Sequence, residues 1–165
     1  MTRSPRAAGS GAELVWYFAF GANMNERVLV ERRRIHPVSA ERAILLDHRF
    51  AFDAPGLPFR ERAFANVRAK AGSVVPGVLY RITASELRRL DRMEGKGVTY
   101  LRVSSTVRRD DGETVTAWHY RARWPRPGQP PSRRYLGLLL EAAERWQLPE
   151  QHRLRLRVAR GDLVP

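Results

Sequence analysis

The 165 residues suffice for one domain and fall short of two ordinary ones, and a 43% hydrophobic share can bury a core, which excludes wholesale disorder. There is no cysteine, so disulfides, thiol nucleophiles and cysteine–zinc sites are excluded together, and no apolar run reaches the roughly eighteen residues of a membrane span. Thirty basic residues against seventeen acidic ones give a net charge of +13, a balance that attracts polyanions.

Residues 1–13 are small, polar and Gly/Ser-containing and read as a flexible tail, with 14–165 as a single domain. The N-terminal stretch lacks the apolar core of a secretory signal, so a cytoplasmic location is expected. LVWYFAF (14–20) is a dense aromatic and β-branched run, the pattern of a buried strand. It stops at Gly21, and Asn23 with Glu26 three positions later predicts a capped helix over about 24–34. Further strands are predicted at 43–52, 63–69 and 74–82, with DAPGLPFRER (53–62) as a loop. Thr83-Ala84-Ser85-Glu86 is a capping box, and Leu87, Leu90 and Met93 recur behind it at three-residue spacing to a helix end at Gly95. Strands over 98–109 and 113–122 flank Asp110-Asp111-Gly112, a hairpin signal. WPRPGQPP (124–131) is a connector, Ser132 caps a helix through about Trp146, and Pro149 opens a last short one. The order predicts an α+β domain rather than a regular βαβ series.

Few chemical constellations are present. GxSxG, HExxH and the phosphate-binding glycine loop are absent, and none of the four histidines stands at ligand spacing from another, so no metal site is expected. His119, between Trp118 and Tyr120, reads as a hydrogen-bonded edge histidine rather than a catalytic one. Two places remain. The junction from Tyr17 to Met24 carries a strand through a glycine turn into a helix start, where unpaired backbone N–H groups could receive an anion, although most such junctions are only turns. Glu94 ends the capped helix, at the negative end of its dipole, where a raised pKa would suit an acid/base; a solvated acid at a helix end is the plainer alternative.

Four segments in order resemble the gamma-glutamylcyclotransferase-like family. Tyr17-Phe18-Ala19-Phe20-Gly21-Ala22-Asn23-Met24 is similar to its YFAYGSN(L/M) signature. Ala65-Asn66-Val67 and Pro76-Gly77-Val78-Leu79-Tyr80 look like its next two strands. Leu87-x-x-Leu90-Asp91-x-x-Glu94-Gly95 is similar to its L-x-x-L-D-x-x-E-G segment, and Pro131-Ser132-x-x-Tyr135-Leu136 with Leu148-Pro149 to its C-terminal segment. The resemblance spans about residues 14–158 and implies a small mixed β-barrel or sheet flanked by helices. It also implies cyclisation of a gamma-linked glutamyl group to 5-oxoproline with release of the attached amine or amino acid, with no metal and no cofactor. It assigns Glu94 as acid/base, and Tyr17, Phe18, Ala19, Phe20, Gly21, Ala22 and Asn23 as the lining of the substrate site. Tyr135 matches a tyrosine that contacts the glutamyl group, and Tyr100 and Tyr120 fall where other pocket tyrosines are expected.

Phe20 and Ala22 replace the signature's second tyrosine and its serine, so two hydroxyls are lost, and Glu141 to Trp146 lack the glycine of the family's C-terminal helix. The leaving group is expected to face the loops 53–62 and 122–131. The partner is a small gamma-glutamyl molecule, the protein a monomer or homodimer. Two other readings stand beside this one: the same chemistry on a gamma-glutamylated amine or natural product, and a non-catalytic basic module binding nucleic acid. Against the second, all basic residues but Lys70 and Lys96 are arginines, as a GC-rich genome also produces, and they are scattered, densest at Arg32-Arg33-Arg34. Nucleic acid is therefore not expected as a partner.

Overall fold

The computed structural model describes residues 12–56, 61–95 and 97–163. Within them five strands close into a barrel in the order β1-β3-β2-β4-β5, as an α+β mixture. The strands are β1 (Leu14–Ala19), β2 (Ser39–Pro55), β3 (Ala63–Thr83), β4 (Tyr100–Arg109) and β5 (Thr114–Ala122), joined by the helices α1 (Ala84–Met93), α2 (Arg133–Arg145) and α3 (Glu150–Arg160). Closure occurs at β1, which is antiparallel to β3 and parallel to β5 at Tyr17 opposite Trp118. The expected tail lies outside the described residues up to position 11; Glu13, assigned to it, is tied down, its carbonyl accepting the Ala84 N–H at 2.8 Å.

The two strands expected at 63–69 and 74–82 are one. β2 pairs along both parts, Leu46 opposite Val74 and His48 opposite Ala69, and residues 70–73 bulge out between them. Gly72 (φ +76°) donates its N–H to the Asp47 carboxylate at 2.9 Å, and Asp47 itself has φ +55°. A Gly-containing bulge thus carries the local sequence of a turn. β2 also runs past the expected strand end: Ala54 pairs with Phe64 and Pro55 with Ala63. A register shift between Phe52 and Ala54 is the irregularity that accommodates a proline in a strand. Gly77 sits where β1 crosses closely, since a Cβ there would fall 2.3 Å from the Ala19 carbonyl oxygen.

The helix expected over 24–34 is a 3-10 turn (Ala22–Met24) followed by a π-helix (Arg27–Arg32), with no capping box. Asn23 and Glu26 are committed elsewhere, Asn23 to Tyr17 at 2.8 Å and Glu26 to Arg145 at 2.7 Å. Just before the π-helix, Asn25 Oδ1 accepts the Arg27 N–H at 3.1 Å. The other expected caps form: Thr83 and Glu86 make the reciprocal capping box, Gly95 has φ +58° past the α1 end, and Ser132 Oγ accepts the Tyr135 N–H at 3.1 Å. Leu87 and Leu90 bury the inner face of α1, but Met93 is 45% exposed. The last helix is longer than expected, with eleven residues.

Phe18, Leu45, Leu79, Ile82, Leu90, Leu136, Leu139 and Leu156 form the centre of the core. Because the barrel closes, β5 has no free edge and His119 is fully buried rather than at an edge. Its Nε2 lies 2.9 Å from Ser105 Oγ, its ring meets His48 edge-on at 5.3 Å, and burial pushes its pKa down to about 3. No helix among the described residues is long and apolar enough to cross a membrane.

Candidate active site

Strand alternation sorts the β1 side chains into two sets. Tyr17 stacks against Tyr80 at 6.2 Å and meets Tyr120 edge-on at 6.1 Å, while Phe20 points to His119 at 6.5 Å. At the strand end the chain turns at Gly21 into the 3-10 segment, whose first N–H groups, those of Ala22 and Asn23, have no partner within so short a helix. Tyr80 and Trp146 hold this turn from behind: the Tyr80 hydroxyl donates toward the carbonyls of Asn23 (3.1 Å) and Met24 (3.2 Å), and Trp146 Nε1–H donates to the latter at 3.1 Å.

Before the turn opens a cleft of about 460 Å³. Every residue expected at the site lines it: Tyr17, Phe18, Ala19, Phe20, Gly21, Ala22 and Asn23 from β1 and the turn, Glu94 from the end of α1, and Tyr100, Tyr120 and Tyr135 from β4, β5 and α2. Among the described residues of the loops 53–62 and 122–131, where the leaving-group wall is expected, only Pro55 reaches it. Pro55 is not in a loop but at the end of the extended β2, paired with Ala63.

Glu94 is the C-cap of α1, and Gly95 (φ +58°) turns the chain away behind it. Its side chain is 15% exposed. Asn23 Nδ2 donates to Tyr17 Oη at 2.8 Å and to Glu94 Oε1 at 3.4 Å, and Arg33 Nη2 lies 3.4 Å from the same carboxylate oxygen. Burial raises the Glu94 pKa above the ordinary carboxylate range; the Arg33 guanidinium and the Asn23 hydrogen bond pull the other way and lose. The expected upward shift is present, with desolvation as its largest cause. Tyr17, Tyr100, Tyr120 and Tyr135 are all pushed up from the ordinary phenol value, chiefly by burial, and stay neutral.

Sequence reasoning missed what holds these tyrosines. Tyr120 donates to Asp91 at 2.7 Å, and Arg102 pairs with Asp91 at 2.7 Å from β4. Tyr135 accepts the Ala65 N–H at 3.0 Å, on the part of β3 that β1 does not cover. Asn66 bridges β2 and β5 within the sheet, donating to Asp53 at 2.7 Å and accepting the Ala122 N–H at 2.9 Å. Glu61 accepts from the Ser132 N–H at 2.6 Å and so fixes the start of α2, which carries Tyr135. Arg33 had been visible only as part of an arginine run; which of the three points inward depends on the π-helical phase, which no simple periodicity reports. Among the described residues no cluster of three or more His, Cys, Asp or Glu could hold a metal ion.

Residues 74–156 match the model of the AIG2-like family. The chain is 29% identical over 168 residues to the gamma-glutamyl cyclotransferase aclK of Aspergillus oryzae, covering 87% of this chain and 60% of that protein. It is 33% identical over 150 residues to the gamma-glutamyl cyclotransferase gliK of Aspergillus fumigatus, covering 76% and 55%. It therefore spans little more than half the length of these relatives. A solved gamma-glutamyl cyclotransferase structure superposes with a TM-score of 0.75 at 24% identity, covering 88% of this chain and 87% of that one, a likeness of fold. With the family model matched over half its length, the chain belongs to the AIG2-like family.

Proposed function

We propose that the protein is a gamma-glutamylcyclotransferase-type enzyme, which cyclises a gamma-linked glutamyl group to 5-oxoproline and frees the attached amine or amino acid. The observation that supports this best is a carboxylate, Glu94, with an environment-raised pKa, facing the Gly21 turn across one cleft with Asn23 between them.

The chemistry asks little of the protein beyond this. The substrate carries its own nucleophile, so its α-amine attacks its own γ-carbonyl and a five-membered lactam closes; the protein has to hold the reactive conformer. A nitrogen–carbon bond forms, the carbonyl oxygen becomes an oxyanion, and on collapse the bond to the leaving nitrogen breaks. Of the three protons of the α-ammonium, one stays on the lactam nitrogen and two end on the released amine. Glu94 takes and returns these protons, and its raised pKa places it nearer neutrality, where both transfers proceed. The backbone N–H groups of the turn face the developing oxyanion, and since no hydroxyl is needed for this, Phe20 and Ala22 are compatible with the reaction. Asn23 Oδ1 is a buried acceptor with no partner among the described residues and is suited to the substrate's ammonium group. Tyr17 fixes the orientation of that amide by accepting from its Nδ2 at 2.8 Å.

Release of 5-oxoproline from a panel of gamma-glutamyl amino acids and amines, with Glu94→Gln alongside and circular dichroism on both proteins, tests the reading. Product from the wild type alone supports it. Equal product from both proteins removes Glu94 from the mechanism.

A further inference from the structure

The cleft continues sideways into a second lobe of about 460 Å³ that shares Ala22, Arg33, Phe64, Met93 and Tyr135 with it. Beyond these shared residues the lobe is lined by Val28 and Arg32 on the π-helix and by Arg134 and Leu138 on α2, and among the described residues no acidic side chain lines it. Neighbouring arginines are neutralised: Arg27 pairs with Glu141 at 2.6 Å, Arg145 with Glu26 at 2.7 Å and Arg133 with Asp162 at 3.5 Å. Arg32 and Arg134 have no ion-pair or hydrogen-bond partner among the described residues. Met93, 45% exposed although it continues the apolar stripe of α1, adds an apolar surface at the junction of the two lobes.

We infer that this lobe is the leaving-group subsite, and that Arg32 and Arg134 select a leaving group carrying a carboxylate beside an apolar body, as in a gamma-glutamyl amino acid or peptide, over a neutral or cationic amine. The inference rests on the proposed cyclisation. A γ-carbonyl held between Glu94 and the Gly21 turn places the leaving nitrogen within the cleft, and the lobe is the space continuous with it. A carboxylate there meets guanidinium groups able to bind it in bidentate fashion, whereas a cationic amine meets like charge. Phe64, Met93 and Leu138 supply contact for an apolar side chain.

The test compares gamma-glutamyl-phenylalanine with gamma-glutamyl-phenethylamine, which differ only by the carboxylate, reading kcat/KM for 5-oxoproline release. The wild type prefers the acid by about ten-fold or more, the effect of one charge-assisted hydrogen bond. The preference shrinks at high salt and is lost in the double variant Arg32→Gln/Arg134→Gln, both exposed positions where folding is not at stake and circular dichroism verifies it. Arg155→Gln, exposed on α3 and outside both lobes, retains it. Equal efficiency on the two substrates, a preference that survives the double variant, or its loss in Arg155→Gln overturns the inference while leaving the cyclisation intact. Product from neither substrate overturns the cyclisation reading itself.

Discussion

Gly21 and Tyr135 come from opposite ends of the chain and form one contact that sets the shape of the site. The φ of Gly21 is −116°, which any residue adopts, so what keeps a side chain out is room. A Cβ there would lie 3.2 Å from Tyr135 Oη and 3.5 Å from Ala65 Cβ. The hydroxyl cannot retreat freely, because it accepts the Ala65 N–H at 3.0 Å. Tyr135→Phe leaves that N–H unsatisfied on a residue only 5% exposed, at a cost of about 1–3 kcal/mol. Gly21→Ala overpacks against the anchored hydroxyl at a cost of about 1–3 kcal/mol. In the double variant the hydroxyl is gone, and the new methyl meets Ala65 Cβ at an ordinary distance, so the second substitution adds less than about 1 kcal/mol. Urea unfolding of the four proteins gives the cycle, with a coupling of about 1–2 kcal/mol expected. Each kcal/mol corresponds to about 2–4 °C in Tm for a domain of this size. Additivity within about 0.5 kcal/mol would refute the contact as the reason for a glycine at position 21.

Because Arg33 lowers the Glu94 pKa against the effect of burial, Arg33→Gln raises it further; the acid limb of the kcat/KM profile, which requires ionised Glu94, then moves to higher pH, and activity falls more at pH 6 than at pH 8. His119 and His152 are buried with pKa values pushed down from 6.5 to about 3 and about 4. Their unfolded forms bind protons first as pH falls, so stability is full above about pH 6.5 and is lost progressively down to about pH 3–4, which urea unfolding between pH 7 and pH 4 measures. His152→Phe flattens that slope. Gln147 has φ +50° although its carbonyl and N–H are both used, and Gln147→Gly relieves left-handed strain for a net gain of about 0.5–1 kcal/mol in urea unfolding.

Much of the candidate site was legible in short local patterns. The Tyr17-to-Met24 run ends a buried strand at a glycine, and Thr83 with Glu86 fixes the start of α1, whose length then delivers Glu94 to the cleft. Each of these signals is contained within about ten residues. What was not legible depends on distant pairing. The bulge at 70–73 looks like a turn until β2 is known to continue beside it, and Pro55 looks like a loop residue until Ala63 is found opposite. The capping box expected at Asn23 is absent because that side chain turns to Tyr17 and to Glu94, the latter 71 positions away in sequence. His119 was misplaced for the same reason, since barrel closure removed the edge on which it was expected. Part of the positive charge is taken up in ion pairs that the fold brings together, such as Arg42 with Asp110 and Arg157 with Glu144, which composition alone does not reveal.

The most direct test of the central claim is the rate of 5-oxoproline release from gamma-glutamyl-phenylalanine at pH 7.5 by the wild type and by Glu94→Gln at equal, folded concentration. General acid–base catalysis of this kind contributes about 100-fold to 10,000-fold, so the variant is expected to lose at least about 100-fold while its circular dichroism spectrum is unchanged. A variant within a few-fold of the wild type would contradict the account.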